Sequence, residues 1–295
     1  MKRQPSDNNL SGSLLDRIEE KRDHFTPKLG RLASYITLHY RDVAFMSISE
    51  LARASGVSDA TVTRFSTALG YSGFPDMNRD LQQNIQTQLN TVERFNITFN
   101  VNHRRDPKPG FEEAIFQEAQ NVQRLMETIR KETFNRVVDR MVRASRIGLI
   151  GLQASASLVE YFYFGLEKIA PPVVRITNGD GHAHVLINQL GEGCLVFLFL
   201  FPRYPRLAVE LASYAKDRGA EVVAVTNSYL SPAAKLADDT LLVQLPVTSF
   251  IDSYSPSVAL IHILVKEFAA RNPERTKKRL EMYEEITRRQ RTFTE

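Results

Sequence analysis

The chain has 295 residues, of which 43% are hydrophobic, and its 38 Lys and Arg exceed its 34 Asp and Glu to give a formal net charge of +4. This length and composition suit two domains with apolar cores, and the small basic excess is compatible with a nucleic-acid partner. The single cysteine excludes an intramolecular disulfide, and no apolar run is long enough to predict a transmembrane helix. The polar start lacks the apolar region of a secretory signal, so we expect a cytoplasmic protein without membrane contact.

Residues 1–12 are polar and are expected to be disordered. A helical pattern of apolar residues then runs from Leu14 to about Asn90 and predicts an all-α domain over residues 13–92.

Residues 47–70 predict two short helices joined by a tight turn. Ser47 or Ser49 is placed to cap the first helix, and Glu50, three residues after Ser47, completes a capping box. Gly56 stands where the chain must leave that helix, a position that favours a residue tolerating positive φ. Ser58 is placed to cap the second helix, whose predicted buried residues are Val62, Phe65 and Leu69.

The opposite face of the second helix carries short polar groups and one long cation, a surface that suits insertion into the DNA major groove. An ordinary α-hairpin is the alternative, but the short turn and the scarcity of Glu and Lys on that face favour a helix-turn-helix. Ser47 and Ser49 are assigned to backbone phosphates. The predicted DNA contacts are Ser47, Ser49, Ser58, Asp59, Thr61, Thr63 and Arg64.

Residues 93–112 are predicted to form a linker, because the stretch 101–110 combines proline and charge without periodicity. Residues 111–130 then predict one long amphipathic helix.

The pattern changes after Ala144, where short apolar strands alternate with helices. The predicted strands span 146–151, 173–176, 195–200, 221–226 and 240–243. The predicted helices span 155–169, 182–190, 205–218 and 257–269. This alternation predicts a doubly wound, five-stranded parallel α/β domain over 113–270. Residues 271–295 predict a charged helical tail, for which two interpretations stay open: a solvated helix, or a contact with DNA or another subunit.

Ligands of doubly wound sheets bind at the carboxyl ends of the strands, and three segments of this chain converge there. Residues 151–157 turn from a glycine-ended strand into a helix with free N–H groups and hydroxyls, an arrangement suited to phosphate. Arg203, after the third strand, suggests an anionic ligand or an intersubunit carboxylate. The predicted ligand contacts are Gly151, Gln153, Ser155, Ser157, Arg203, Tyr204, Thr226, Asn227, Ser228 and Ser231.

From about Leu14 to Ala270 the chain resembles the RpiR family of bacterial transcription regulators, which join a helix-turn-helix to a sugar isomerase (SIS) domain. The strongest stretches are Ser-Ile-Ser-Glu-Leu-Ala at 47–52, Gly-Val-Ser at 56–58, Ala-Thr-Val-Thr-Arg-Phe at 60–65 and Leu-Gly-Tyr-Ser-Gly-Phe at 69–74. Residues 218–226 and 231–238 are similar to the fourth strand and following loop of SIS domains. The resemblance implies a dimeric or tetrameric repressor or activator that senses a phosphorylated sugar.

The chain departs from that family pattern at two places. SIS domains that bind sugar phosphates carry a Ser-x-Ser-Gly-x-Thr loop after the third strand, whereas this chain has Phe-Pro-Arg-Tyr-Pro-Arg at 201–206. Gln153 replaces the usual second glycine of the first loop. Three interpretations follow: a phosphorylated sugar, an acid or a different phosphorylated metabolite held by Arg203, or a purely structural, oligomerising SIS domain.

A sugar-phosphate isomerase-like enzyme is the rival class, since it needs a carboxylate or imidazole base beside the substrate. The candidates near the strand ends are Asp180, His182, His184 and Asp252. His182 and His184 are two residues apart, so they do not share a helix face, and no Cys or carboxylate cluster completes a metal site. We therefore expect a regulator without catalytic residues, metal or cofactor, whose partners are double-stranded operator DNA, a small anionic metabolite and further copies of itself.

Overall fold

A computed structural model describes residues 14–86, 90–98, 110–245, 251–290 and 292. The chain divides into two compact units, residues 1–104 and 105–295. Within the described residues, no helix combines the length and the apolar content needed to cross a membrane.

The first unit is all-α, as predicted. Its helices are α1 (Leu14–Glu20), α2 (Pro27–Val43), α3 (Ile48–Ser55), α4 (Asp59–Ala68), α5 (Phe74–Gln86) and α6 (Thr91–Thr98). The apolar sides of α1 to α5 meet in one core, which includes the fully buried Leu32, Ile36, Leu51, Phe65 and Met77.

Helix α6 extends to Thr98 and so occupies part of the range 93–112 that the sequence predicted as a linker. Residues 111 and 112, at the other end of that range, belong to the helix Phe111–Gln123. Residues 99–109 lie outside the described residues, as do residues 1–13.

The local signals at residues 47–70 are confirmed. The Ser47 hydroxyl accepts from the Glu50 N–H while the Glu50 carboxylate accepts from the Ser47 N–H, which completes the capping box. Gly56 ends α3 in the left-handed conformation, with φ +69°. The Ser58 hydroxyl accepts from the Thr61 N–H and caps α4.

The second unit begins with three helices, α7 (Phe111–Gln123), α8 (Leu125–Thr128) and α9 (Lys131–Arg143). The single long helix predicted over 111–130 is interrupted: the structure has two helices, one on either side of Arg124, and Leu125, the first residue of α8, is buried in the core. Helix α9 has no counterpart among the predicted elements. Most residues of this helix are polar or charged, so its apolar stripe is inconspicuous in the sequence. The stripe consists of Val137, Val138 and Met141, which are buried.

The remaining elements follow the predicted alternation. The strands are β1 (Arg146–Ile150), β2 (Val173–Ile176), β3 (Cys194–Leu200), β4 (Glu221–Thr226) and β5 (Asp239–Leu242). The helices are α10 (Ala156–Leu166), α11 (Gly181–Ile187), α12 (Arg206–Asp217), α13 (Pro232–Leu236), α14 (Ser255–Arg271) and α15 (Pro273–Arg289). A 3₁₀ turn, Gln153–Ser155, precedes α10. Within the predicted tail 271–295, the residues Pro273–Arg289 form a helix.

All strand pairs are parallel, and the order across the sheet is β2-β1-β3-β4-β5. The chain leaves β1 toward β2 on one side and then returns to the other side for β3, which makes the sheet doubly wound, as predicted. The switch point of the strand order lies between β1 and β3. Helices α9, α10 and α14 cover one face, and α11, α12 and α13 cover the other.

Candidate DNA-binding and ligand sites

The exposed face of α4 is formed as predicted at Ser58, Asp59, Thr63 and Arg64. The opposite face buries Val62 and Phe65 completely, together with Leu69 immediately after the helix. The face therefore combines short polar side chains with one arginine, on a helix held from behind by the apolar core.

The prediction that Thr61 lies on this exposed face is wrong. Thr61 is only 4% exposed, and its hydroxyl lies 2.9 Å from the Ser58 hydroxyl. Thr61 adjoins Val62 and is four residues from Phe65, so it shares their side of the helix. Thr61 therefore supports the cap of α4 and is not available to DNA.

The two helices of the motif are also joined by their side chains. The Ser49 hydroxyl, on α3, donates to Oδ2 of Asp59 on α4 across 2.7 Å. The sequence reasoning assigned both residues to DNA separately and did not foresee this bond, because the partners are ten residues apart on different helices.

Basic side chains surround the carboxyl end of α4. Lys21 Nζ donates to the Ala68 carbonyl at 2.6 Å, and an Arg17 guanidinium nitrogen donates to the Leu69 carbonyl at 3.3 Å. The two side chains thus donate to carbonyls that have no partner within the helix, and their positive charges complement the negative end of the helix dipole. Arg64 Nε donates to the Ala60 carbonyl at 3.2 Å, so the Arg64 side chain runs along the exposed face.

In the second unit, the loops that leave β1, β3 and β4 all begin at the carboxyl edge of the sheet. Two of these loops contain non-glycine residues in the left-handed backbone region, Gln153 (φ +56°) and Arg203 (φ +67°). These two are the only such residues in the part of the chain that the structure describes. Because this conformation is strained for residues with a Cβ, its occurrence at exactly two predicted ligand residues marks the edge as a candidate site.

Side chains connect these loops to one another. The Tyr204 hydroxyl donates to Oδ1 of Asn227 at 2.9 Å and thereby ties the β3 loop to the β4 loop. Burial raises the pKa of Tyr204, although the bond to Asn227 opposes that shift, so the phenol stays protonated and can donate. The two loops therefore form one continuous surface.

Several predicted ligand hydroxyls serve the backbone instead. Ser157 donates to the Ala154 carbonyl, Ser228 accepts from the Leu230 N–H, and Ser231 accepts from the Ala234 N–H as the cap of α13. Ser231 is also almost fully buried. These contacts satisfy local backbone groups, as short hydroxyl side chains commonly do in loops.

Thr226 differs from those serines. It is completely buried at the end of β4, and its hydroxyl makes no hydrogen bond within the described residues. A buried hydroxyl normally has a partner, so Thr226 is an exception among the predicted ligand residues.

The start of α14 also belongs to this site, although the sequence reasoning missed it. The Tyr254 ring lies 5.4 Å from the Phe201 ring, and the Tyr254 and Ser155 hydroxyls are 3.5 Å apart. The Ser253 hydroxyl donates to Glu118 on α7 at 2.5 Å. Placing the start of this helix at residue 257 concealed these contacts, which join residues far apart in the chain.

Two of the candidate catalytic groups, Asp180 and His182, line one cavity together with Glu160 and Arg175. The Asp180 carboxylate accepts from the His182 N–H at the start of α11, and His182 and His184 are both exposed. Within the described ranges, no three His, Cys, Asp or Glu side chains are grouped so as to hold a metal ion.

A helical unit with a capped helix-turn-helix, followed by a doubly wound α/β unit with a candidate ligand edge, defines a two-domain transcriptional regulator. Comparison with known families agrees: residues 12–88 match the helix-turn-helix domain of the rpiR family, and residues 140–267 match the SIS domain. The chain therefore belongs to the RpiR family of transcriptional regulators.

Individual relatives support this assignment. The chain is 25% identical over 297 residues to the Escherichia coli transcriptional regulator HexR, a match that covers 95% of this chain and 96% of HexR. The sugar isomerase domain of an RpiR transcription factor from Sphaerobacter thermophilus shares the fold with a TM-score of 0.56 and 23% identity, covering 58% of this chain and 96% of that structure. Vibrio vulnificus NanR, solved in complex with ManNAc-6P, matches with a TM-score of 0.54 and 24% identity over 93% of this chain and 97% of NanR.

The close approach of the β1 loop to α10 depends on Gly151. A Cβ at this position would lie 2.8 Å from the Ser155 carbonyl oxygen and 2.8 Å from a methyl group of Val159. We expect Gly151→Ala to lower the free energy of unfolding by about 1–3 kcal/mol, measured by urea denaturation. Gly181→Ala is the matched control, because its added Cβ meets no atom within 4 Å. Equal stability of the two variants would contradict the close approach.

Proposed function

We propose that this regulator binds an operator as a homo-oligomer, with one α4 in the major groove of each half-site, and that an anionic metabolite at the carboxyl edge of its SIS sheet changes its DNA affinity. The observation that carries the DNA-binding part is the exposed face of α4, where Asp59, Thr63 and Arg64 stand on a helix with a fully packed opposite side. Ser47 and Ser58, exposed at the starts of α3 and α4, are the candidates for phosphate contacts.

Arg64 is the long cation of that face and is expected to contact a base or a phosphate. Arg64→Ala should weaken binding to the upstream region of the protein's own operon by about tenfold or more, measured by gel shift. The matched control is Arg206→Ala, which removes the same charge from α12, where the Arg206 side chain is 92% exposed. Unchanged affinity of a folded Arg64→Ala protein would reject α4 as the recognition helix.

The effector proposal rests on the carboxyl edge of the sheet. Arg203 supplies a cation in the loop after β3, and the neighbouring strand β4 ends at Thr226, whose hydroxyl is buried without a hydrogen bond among the described residues. Tyr204 places a phenol between the loops that follow these two strands. An arginine binds carboxylate or phosphate through charge-assisted hydrogen bonds. NanR, which shares the fold, was solved with the phosphorylated sugar ManNAc-6P. A phosphorylated sugar or a sugar acid is therefore the proposed class of effector.

Thermal-shift measurements test the role of Arg203. We expect members of a panel of sugar phosphates and sugar acids, including ManNAc-6P and inorganic phosphate, to raise the melting temperature of the wild type and of Arg206→Ala but not of Arg203→Ala, because binding to the folded state stabilises it. If the same compounds stabilise all three proteins equally, Arg203 is not the anion contact.

Self-association is supported by the apolar residues that one face of the SIS domain leaves exposed. Tyr161 and Phe164 on α10 and Ile263 on α14 are 41%, 58% and 43% exposed, and α10 packs directly on α14. An exposed apolar surface of this kind is typical of a subunit interface. A second copy of the chain is its proposed partner.

Sedimentation velocity tests this surface. Phe164→Glu places a charge within it and should shift the protein toward monomer, because burying an unpaired charge is costly. Val185→Glu is the control, since Val185 is 60% exposed on α11, which covers the opposite face of the sheet. The surface is not the interface if Phe164→Glu sediments as the wild type does.

A further inference from the structure

Asp59 is an unexpected residue at the start of a recognition helix. It is the first residue of α4, it is exposed, and its carboxylate would approach the negatively charged backbone of DNA. In the free protein, the positive end of the helix dipole stabilises the negative charge of Asp59 at the start of α4. On DNA, however, the carboxylate needs a hydrogen-bond donor, and phosphate oxygens are acceptors.

The chemistry of the major groove limits which bases can supply that donor. An ionised carboxylate only accepts hydrogen bonds, whereas guanine presents two acceptors and thymine presents an acceptor and a methyl group. Cytosine presents its N4 amino group. Adenine presents its N6 amino group beside the acceptor N7, which repels a carboxylate. Cytosine is therefore the base that fits Asp59.

The carboxylate is also held in place before DNA arrives. The Ser49 hydroxyl donates to Oδ2 of Asp59 at 2.7 Å, the length of a charge-assisted hydrogen bond. This bond restricts the Asp59 side chain, so less side-chain entropy is lost when the carboxylate meets a base. A carboxylate has about four lone-pair positions, and the bond to Ser49 therefore leaves acceptor capacity for a base.

The neighbouring side chains permit a close approach. Ala60 is exposed beside Asp59, and the Thr63 hydroxyl, one turn later, donates to the Asp59 backbone carbonyl at 3.2 Å. Arg64 supplies a positive charge on the same face, which offsets the repulsion between Asp59 and the phosphates. The start of α4 therefore combines short side chains with one hydrogen-bond acceptor, the Asp59 carboxylate, whose position is restricted by Ser49.

We propose that Asp59 is a specificity-determining residue that selects cytosine at one position of each operator half-site, and that Ser49 positions its carboxylate. Ser49 thus acts through Asp59, in place of the phosphate contact that the sequence suggested. This inference rests on the proposed role of α4 as the recognition helix and adds to it the class of base that the helix start reads.

Selection of binding sites from a random-sequence duplex library tests the proposal with the full-length protein. The wild type should enrich cytosine at one position of each half-site by about fivefold or more, the lower end of base discrimination by a specific contact. Asp59→Ala should lose the preference at that position alone. Asp59→Asn should change the preference toward adenine, because an asparagine amide can pair with N6 and N7 of adenine. Ser49→Ala should reduce the cytosine preference without changing the base.

Asp42→Asn is the matched control, because it removes an equal charge from an exposed position of α2 in the same unit. It should recover the wild-type sequences. If both Asp59 variants recover the wild-type sequences and only bind all DNA more tightly, Asp59 acts as a general charge and the inference is wrong. If the wild type enriches no shared sequence, the recognition-helix proposal itself fails, so the two failures are distinguishable.

Discussion

The complete burial of β3 is the constraint on which the second unit depends. All seven residues from Cys194 to Leu200 are buried, because apolar side chains alternate onto both faces of the sheet. A parallel strand buried on both faces requires a layer of helices on each side. The backbone of β3 pairs with β1 on one side and β4 on the other, which fixes the central position of the strand. The crossovers that follow place the loops after β1, β3 and β4 at one edge.

Both backbone conformation and side-chain charge distinguish the loops at that edge. Gln153 and Arg203 both adopt left-handed conformations, which a rigid surrounding structure must maintain against local strain. At residue 153 the family pattern has a glycine, which would adopt this conformation at a lower energetic cost than glutamine does. Arg203 lies in the loop after β3, where the resemblance to SIS domains leads us to expect hydroxyl side chains. A cation in a fixed backbone conformation is one physical solution for binding an anion without those hydroxyls.

The two sites are built by different means. Helix α4 is a short element whose orientation comes from its buried face, its Ser58 cap, the Ser49–Asp59 bond and the basic side chains at its carboxyl end. The candidate ligand edge is assembled from four separate segments, including the start of α14 at Tyr254. Tyr254 contacts Ser155 and Phe201 while the adjacent Ser253 bonds to Glu118 on α7. The segment before α14 therefore connects the ligand edge to the first helix of its unit.

The sequence by itself determined the capping box, the left-handed Gly56, the buried face of α4 and the five strands, because these features depend on residues within a few positions of one another. It also identified the family, since those local motifs occur at fixed spacing. Only the tertiary structure decided that Thr61 is buried, that the helix over 111–130 breaks at Arg124, that Ser49 bonds to Asp59 and that Tyr254 joins the ligand edge. Thr61 lies one turn before Phe65 and contacts the Ser58 cap, so its burial has a local component. The other three features depend on packing between segments that are distant in the chain, and no local periodicity encodes which distant side chain will be the partner.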